Sequence, residues 1–110
     1  MIYYLCLGSN LDDPDSQLEE ALQRLESEPQ IRILRSSKRL ATAPYGLLNQ
    51  PDFLNQVLEV ESSYQPQEMM EKLLDIEKAM GRIRKEKWGP RKIDIDILMA
   101  DDLVLDSRIT

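Results

Sequence analysis

The chain has 110 residues, 42% of them hydrophobic and 31% charged, with a net charge of −6 and an isoelectric point near 4.6. That is the composition of one ordinary globular domain over residues 1–110, too apolar for a disordered segment and too acidic for general affinity for nucleic acid or anionic membrane. Histidine is absent and Cys6 is the sole cysteine, which excludes imidazole triads, imidazole metal sites and an internal disulfide, and makes the reducing cytoplasm the expected compartment.

Ile2 to Leu7 is an apolar run ahead of Gly8-Ser9-Asn10. It is too short for a signal sequence or a membrane span, and reads as a buried central strand with Cys6 inside it, followed by a tight turn. A helix begins with Asp13 as N-cap and Pro14 at the first helical position. Its stripe of Leu18, Ala21, Leu22 and Leu25 faces the core, and Pro29 ends it. Residues 31–42 lack helical periodicity and predict one half-exposed strand. Two prolines and a glycine mark residues 43–52 as a loop, long enough to expect function of it.

Phe53 to Glu61 alternates as a further, fairly buried strand. Pro66 opens a second helix whose inward face carries Met69, Leu73, Ile76 and Met80, with Gly81 as its C-terminal cap. Lys92 to Met99 alternates again, with Ile93, Ile95 and Ile97 on one face and Asp94, Asp96 and Leu98 on the other. Asp101-Asp102 then predicts a turn into a short strand, Leu103 to Leu105. The order β-α-β-β-α-β plus a small C-terminal hairpin predicts an α+β, ferredoxin-like domain: an antiparallel sheet with both helices on one face.

The chemistry concentrates between Gly81 and Leu98. Residues 82–92 hold six of the 14 basic residues against one acid, Glu86; this segment is therefore +5 and the remainder of the chain −11. Asp94 and Asp96, two apart on a strand, project from one face with Cα atoms about 6.5–7 Å apart. Such a pair suits Mg²⁺, which takes one or two carboxylates and completes its shell with water and phosphate oxygens. It is equally the pattern of a solvated sheet face. Arg82, Arg84 and Arg91 have the forked geometry that grips phosphate, with Lys85 and Lys87 adding point charge, although a charged loop is often only solvated. Trp88, on a Gly-Pro loop, either covers a planar ligand or plugs the core. No Walker sequence is present, so a nucleotide-using enzyme here is of another kind, working by alignment and charge neutralisation.

Taken together, Leu5-Cys-Leu-Gly-Ser-Asn-Leu, Thr42-Ala-Pro-Tyr-Gly, Gln50-Pro-Asp-Phe-Leu-Asn55, Ile76-Glu77, Gly81-Arg-x-Arg84 and Trp88-Gly-Pro-Arg-x-Ile-Asp-Ile-Asp-Ile-Leu98 resemble the 6-hydroxymethyl-7,8-dihydropterin pyrophosphokinases. The resemblance covers essentially the whole chain, and its last motif is highly specific. It implies transfer of pyrophosphate from ATP to 6-hydroxymethyl-7,8-dihydropterin in folate biosynthesis, with two Mg²⁺ ions on Asp94 and Asp96. It further implies phosphate or loop-ordering roles for Arg82, Arg84 and Arg91, with Arg82 and Arg91 counted as catalytic beside the aspartates, and places Glu77 near the nucleotide. Thr42, Ala43, Pro44, Tyr45, Phe53 and Asn55 match segments lining the pterin pocket, Phe53 stacking on the ring and Asn55 bonding its edge. Trp88 matches the loop tryptophan that closes over it.

Three departures stand out. Lys87 replaces a common arginine, Leu74 a glutamine, and the chain stops at Ser107-Arg-Ile-Thr110, where family members usually continue with a Pro-His-containing segment. The alternative expectation is therefore a short homologue or fragment that binds pterin or nucleotide with impaired catalysis. Neither nucleic acid nor membrane is an expected partner.

Overall fold

Alternation along the first strand decides the architecture. In β1 (Ile2–Ser9) the side chains of Tyr3, Leu5 and Leu7 are fully buried, while Tyr4 and Cys6 between them are only half-buried. A period of two sends these sets to opposite faces of the sheet. A computed structural model of the chain describes residues 1–43, 50–81, 93–101 and the backbone of 103–104, and within it the elements follow the expected order. These are β1, α1 (Pro14–Glu26), β2 (Ile31–Ser36), β3 (Leu40–Thr42), β4 (Phe53–Ser62), α2 (Pro66–Ala79), β5 (Asp94–Ala100) and β6 (Leu103–Val104).

The strands form one sheet in the order β2-β4-β1-β5-β6, with β3 also paired to β4 and every pairing antiparallel. This is the ferredoxin-like arrangement. The β1–β4 register sets Tyr3 opposite Val60 and Leu5 opposite Leu58, while β1–β5 sets Leu5 opposite Ile97 and Leu7 opposite Ile95. All of these lie in one buried cluster with Leu18, Ala21 and Leu25 of α1 and Met69, Leu73 and Ile76 of α2. Each leucine, isoleucine, valine or methionine among them contributes about 1.5–3 kcal/mol on burial, so both helices are held on this face. Leu22, expected on the same stripe, is only partly buried at its margin. The opposite face carries no helix among the described residues.

Helix starts and stops follow local chemistry, with one exception. Gln65 and Glu68 form a capping box ahead of α2, and Gly81 ends that helix at a positive φ of 83° that a side chain would oppose. Asp13 does occupy the N-cap of α1, but at a φ of 60° and without a side-chain bond to the helix backbone. Its carboxylate instead accepts from the Ser16 hydroxyl at 2.8 Å.

The single strand expected over 31–42 is two strands. Ser36 pairs with Leu58 and Leu40 with Asn55, so three residues of the outer strand face two of β4. Side-chain bonds accompany the break. The Ser37 hydroxyl accepts the Val57 N–H at 2.9 Å, and Arg39 turns towards α1, donating to Asp15 at 3.1 Å, Glu19 at 2.7 Å and Gln56 at 3.1 Å. Leu98 is half-buried like Asp94 and Asp96, at an irregularity of the ladder. The β1–β5 register shifts between Tyr4 and Leu5, so Leu98 is the extra residue of a bulge and Met99 takes the place opposite Tyr4. Cys6, expected in the buried interior, is half-buried on the open face opposite Asp96.

Candidate active site

The open face acquires its character from one row of residues running across three strands. Gly8 of β1 pairs with Asn55 of β4 on one side and with Asp94 of β5 on the other. With strands about 4.7–4.9 Å apart, Asn55 and Asp94 stand roughly 10 Å apart, and the strand residue between them is a glycine. The neighbouring row is Val57, Cys6 and Asp96. Phe53 precedes Asn55 by two residues on the same face, opposite Thr42.

Gly8 is bare for a steric reason. A Cβ built there would lie 2.9 Å from Asn55 Oδ1 and 3.8 Å from a ring carbon of Phe53. The Asn55 carboxamide therefore lies over the glycine, and its Nδ2 donates to Thr42 Oγ1 at 2.6 Å. With the nitrogen committed to Thr42, the amide oxygen is turned over the trough floor. An aromatic ring, an oriented amide and a bare backbone floor suit one edge and one face of a flat polar heterocycle.

The far wall is acidic. Asp94 and Asp96 are both half-buried, and Ile93, Ile95 and Ile97 between and around them are buried on the other face. The alternation that anchors the isoleucines thus delivers both carboxylates to the open side. Among the described residues no group of three or more acidic or cysteine ligands forms. Two carboxylates beside an open floor fit Mg²⁺, which leaves the rest of its octahedron to water and phosphate oxygens. Further along the same face, Glu59 is neutralised: Arg35 donates to it at 2.8 and 3.2 Å, and the Tyr4 hydroxyl also donates to it. The Arg35 bond, then the tyrosine bond, hold this carboxyl below its usual range.

Two supporting contacts come from Asn10, which belongs to the first of the family motifs but carried no expected role. Asn10, buried after β1, donates to Gln50 Oε1 at 2.9 Å and to the Pro51 carbonyl at 3.0 Å. It ties the first turn to the segment leading into Phe53. Gly8 and Asn10 belong to a turn too generic to single out, although a glycine inside an apolar strand does signal close approach. Glu77 is buried on the core side of α2 and accepts the Ile95 N–H at 2.7 Å.

The fold thus gathers Thr42, Phe53, Asn55, Asp94 and Asp96 on one face. Ala43 is exposed directly after β3, and Glu77 lies beneath β5. Pro44, Tyr45, Arg82, Arg84, Trp88 and Arg91 lie outside the described residues.

Residues 4–109 match the sequence model of the family described as 7,8-dihydro-6-hydroxymethylpterin-pyrophosphokinase, HPPK. The chain belongs to the HPPK family. Among curated relatives it is 41% identical over 107 residues to the 2-amino-4-hydroxy-6-hydroxymethyldihydropteridine pyrophosphokinase of Methylorubrum extorquens, covering 96% of this chain and 68% of that protein. The enzymes of the same name from Pseudomonas putida and Aquifex aeolicus are each 41% identical, over 94% and 96% of this chain and 85% and 65% of their own lengths. The chain therefore spans about two thirds of two of these HPPK relatives and more of the third. No helix among the described residues is long and apolar enough to cross a membrane.

Proposed function

We propose that this chain carries the HPPK reaction, moving pyrophosphate from ATP to 6-hydroxymethyl-7,8-dihydropterin in folate biosynthesis. The observation that supports the reading is the row Asn55–Gly8–Asp94, which brings the Asn55 amide and the strand carrying Asp94 and Asp96 to the two sides of the Gly8 backbone. In the reaction the pterin hydroxymethyl oxygen bonds to the β-phosphorus of ATP. The bond from that phosphorus to the oxygen it shares with the α-phosphorus breaks, AMP leaves with that oxygen, and the hydroxyl proton is lost.

Phe53 offers its ring to the pterin face, and Asn55, held by Thr42, accepts from the pterin edge. Together they point the hydroxymethyl arm along the floor over Gly8 towards β5. Asp94 and Asp96 would hold Mg²⁺, two ions in the reading drawn from the family motif, which supplies charge neutralisation to the triphosphate. The motif assigns phosphate contacts to Arg82, Arg84 and Arg91, and pterin contacts to Ala43, Pro44, Tyr45 and Trp88. A basic segment carrying +5 beside two aspartates favours this division of labour, since phosphoryl-type transfer needs alignment and charge neutralisation more than covalent help.

The test is AMP release by this 110-residue chain with ATP, Mg²⁺ and 6-hydroxymethyl-7,8-dihydropterin. AMP formed in equal amount to the pterin pyrophosphate supports the reading. Saturable pterin binding with no AMP at saturating Mg-ATP supports instead the binding-only homologue.

A further inference from the structure

β5 is bound to β1 along one side, whereas on its other side β6 pairs only with Met99 and Ala100 among the described residues. The outer edge of β5 near Ile95 lies beyond that short pairing. A backbone N–H there is buried and must find an acceptor. Glu77 Oε2 supplies it at 2.7 Å, and Glu77 and Ile95 are each only 3% exposed.

The placement of this bond matters more than its existence. Ile95 is the residue between Asp94 and Asp96, and its N–H belongs to the peptide plane that joins it to Asp94. Pinning that plane restrains the torsions on either side of it, and with them the directions in which the two neighbouring Cβ atoms leave the strand. Glu77 also stands on the core stripe of α2, one residue after Ile76 and four after Leu73, both buried. A carboxylate is an expensive choice for such a position, where an aliphatic side chain would pack at lower cost. Its advantage is a charge-assisted acceptor, stronger than a neutral one, at the end of a three-bond arm.

We propose that Glu77 is a positioning residue for the carboxylate pair, holding Asp94-Ile95-Asp96 so that both aspartates keep their spacing and direction on the open face. The inference rests on the reading of Asp94 and Asp96 as metal ligands. It places the action of Glu77 on the protein backbone behind the site, acting through the strand.

Glu77→Gln retains an acceptor oxygen for the Ile95 N–H, while Glu77→Met removes it and keeps an apolar side chain of similar length. Amide hydrogen exchange at Ile95 and Mn²⁺ binding in the presence of ATP are measured on the full chain for both variants and for Asp94→Asn. Glu77→Gln is expected to keep Ile95 protected and Mn²⁺ affinity within about threefold. Glu77→Met is expected to speed Ile95 exchange and weaken Mn²⁺ about 10–100-fold, the range seen when outer-shell partners are removed. Its pterin affinity is expected to stay unchanged.

Mn²⁺ binding that is lost in Asp94→Asn but kept in Glu77→Met overturns the positioning role alone. Equal loss in Glu77→Gln and Glu77→Met also overturns it, because charge and not the backbone bond would then be responsible. Should Glu77→Met not fold, loss of Mn²⁺ affinity in a folded Glu77→Gln with Ile95 still protected overturns it as well. Mn²⁺ binding indifferent to Asp94→Asn overturns the metal reading, and the proposal with it.

Discussion

Asn55 Nδ2 donates to Thr42 Oγ1 at 2.6 Å, joining diagonal neighbours on β4 and β3 and turning the amide oxygen over Gly8. The hydroxyl thus orients a group that the ligand itself would touch. Thr42→Val keeps the shape and deletes the acceptor. Loss of one such bond is expected to cost about 1 kcal/mol, or roughly fivefold in pterin affinity. Pterin fluorescence titration checks this, with little change expected in melting temperature because Thr42 is exposed.

Gly8→Ala places a carbon 2.9 Å from Asn55 Oδ1, and the amide must swing away from the floor. Pterin affinity is expected to fall about tenfold or more, while stability changes by no more than about 1–3 kcal/mol, the usual cost of overpacking. A double-mutant cycle with Asn55→Ala supplies the decisive comparison. Because the second substitution removes the colliding atom, the two losses are expected to be clearly less than additive.

Asp94→Asn and Asp96→Asn remove charge without changing shape. Each is expected to lower kcat by at least about a hundredfold, the scale for losing one electrostatic element of a transition state. Both side chains are half-buried and lie outside the apolar core, so the fold is expected to survive either change. Turnover and thermal melts on the same samples separate the effects.

Arg39 has its side chain 26% exposed and spans from Gln56 on the sheet to Asp15 and Glu19 on α1. Its acidic partners Asp15 and Glu19 are largely exposed, which discounts the ion pairs, so Arg39→Met is expected to cost about 1 kcal/mol. In a domain of this size that is a fall of about 4–8 °C in melting temperature. Arg39 lies between β2 and β3 and ties that stretch to α1, so amide protection at Leu40 and Thr42 is expected to weaken as well.

The Arg35–Glu59–Tyr4 network sets a pH limit. Arg35, then Tyr4, hold the Glu59 carboxyl below its ordinary value of 4.5. A carboxyl with a depressed folded pKa binds fewer protons folded than unfolded, so its contribution is complete above 4.5 and is lost as pH falls through the lower, folded value. Glu59→Gln is expected to flatten the acid limb of a plot of melting temperature against pH. An acid limb unchanged in this variant would contradict the assignment.

Local pattern carried much of this protein. Ile93, Ile95 and Ile97 alternate with Asp94 and Asp96 because a strand has a period of two, so the carboxylate pair and its shared face were legible from five consecutive residues. The stripes of α1 and α2, the prolines that open them and Gly81 that closes the second are equally local signals. The motif from Trp88 to Leu98 pointed to the family with no structure at all.

What local pattern could not contain was register. Whether Gly8 falls beside Asn55 or one residue away depends on how β1 and β4 align across more than forty residues of chain, and a slip of one would send Asn55 into the core. The bulge at Leu98, the break at Ser37 and the Glu77 bond to Ile95 likewise arise where one element meets another. Sequence determined which residues carry chemistry and which face each strand offers. Tertiary structure decided which of those faces lie side by side, because pairing between distant strands is settled only when their apolar faces are buried together against the helices.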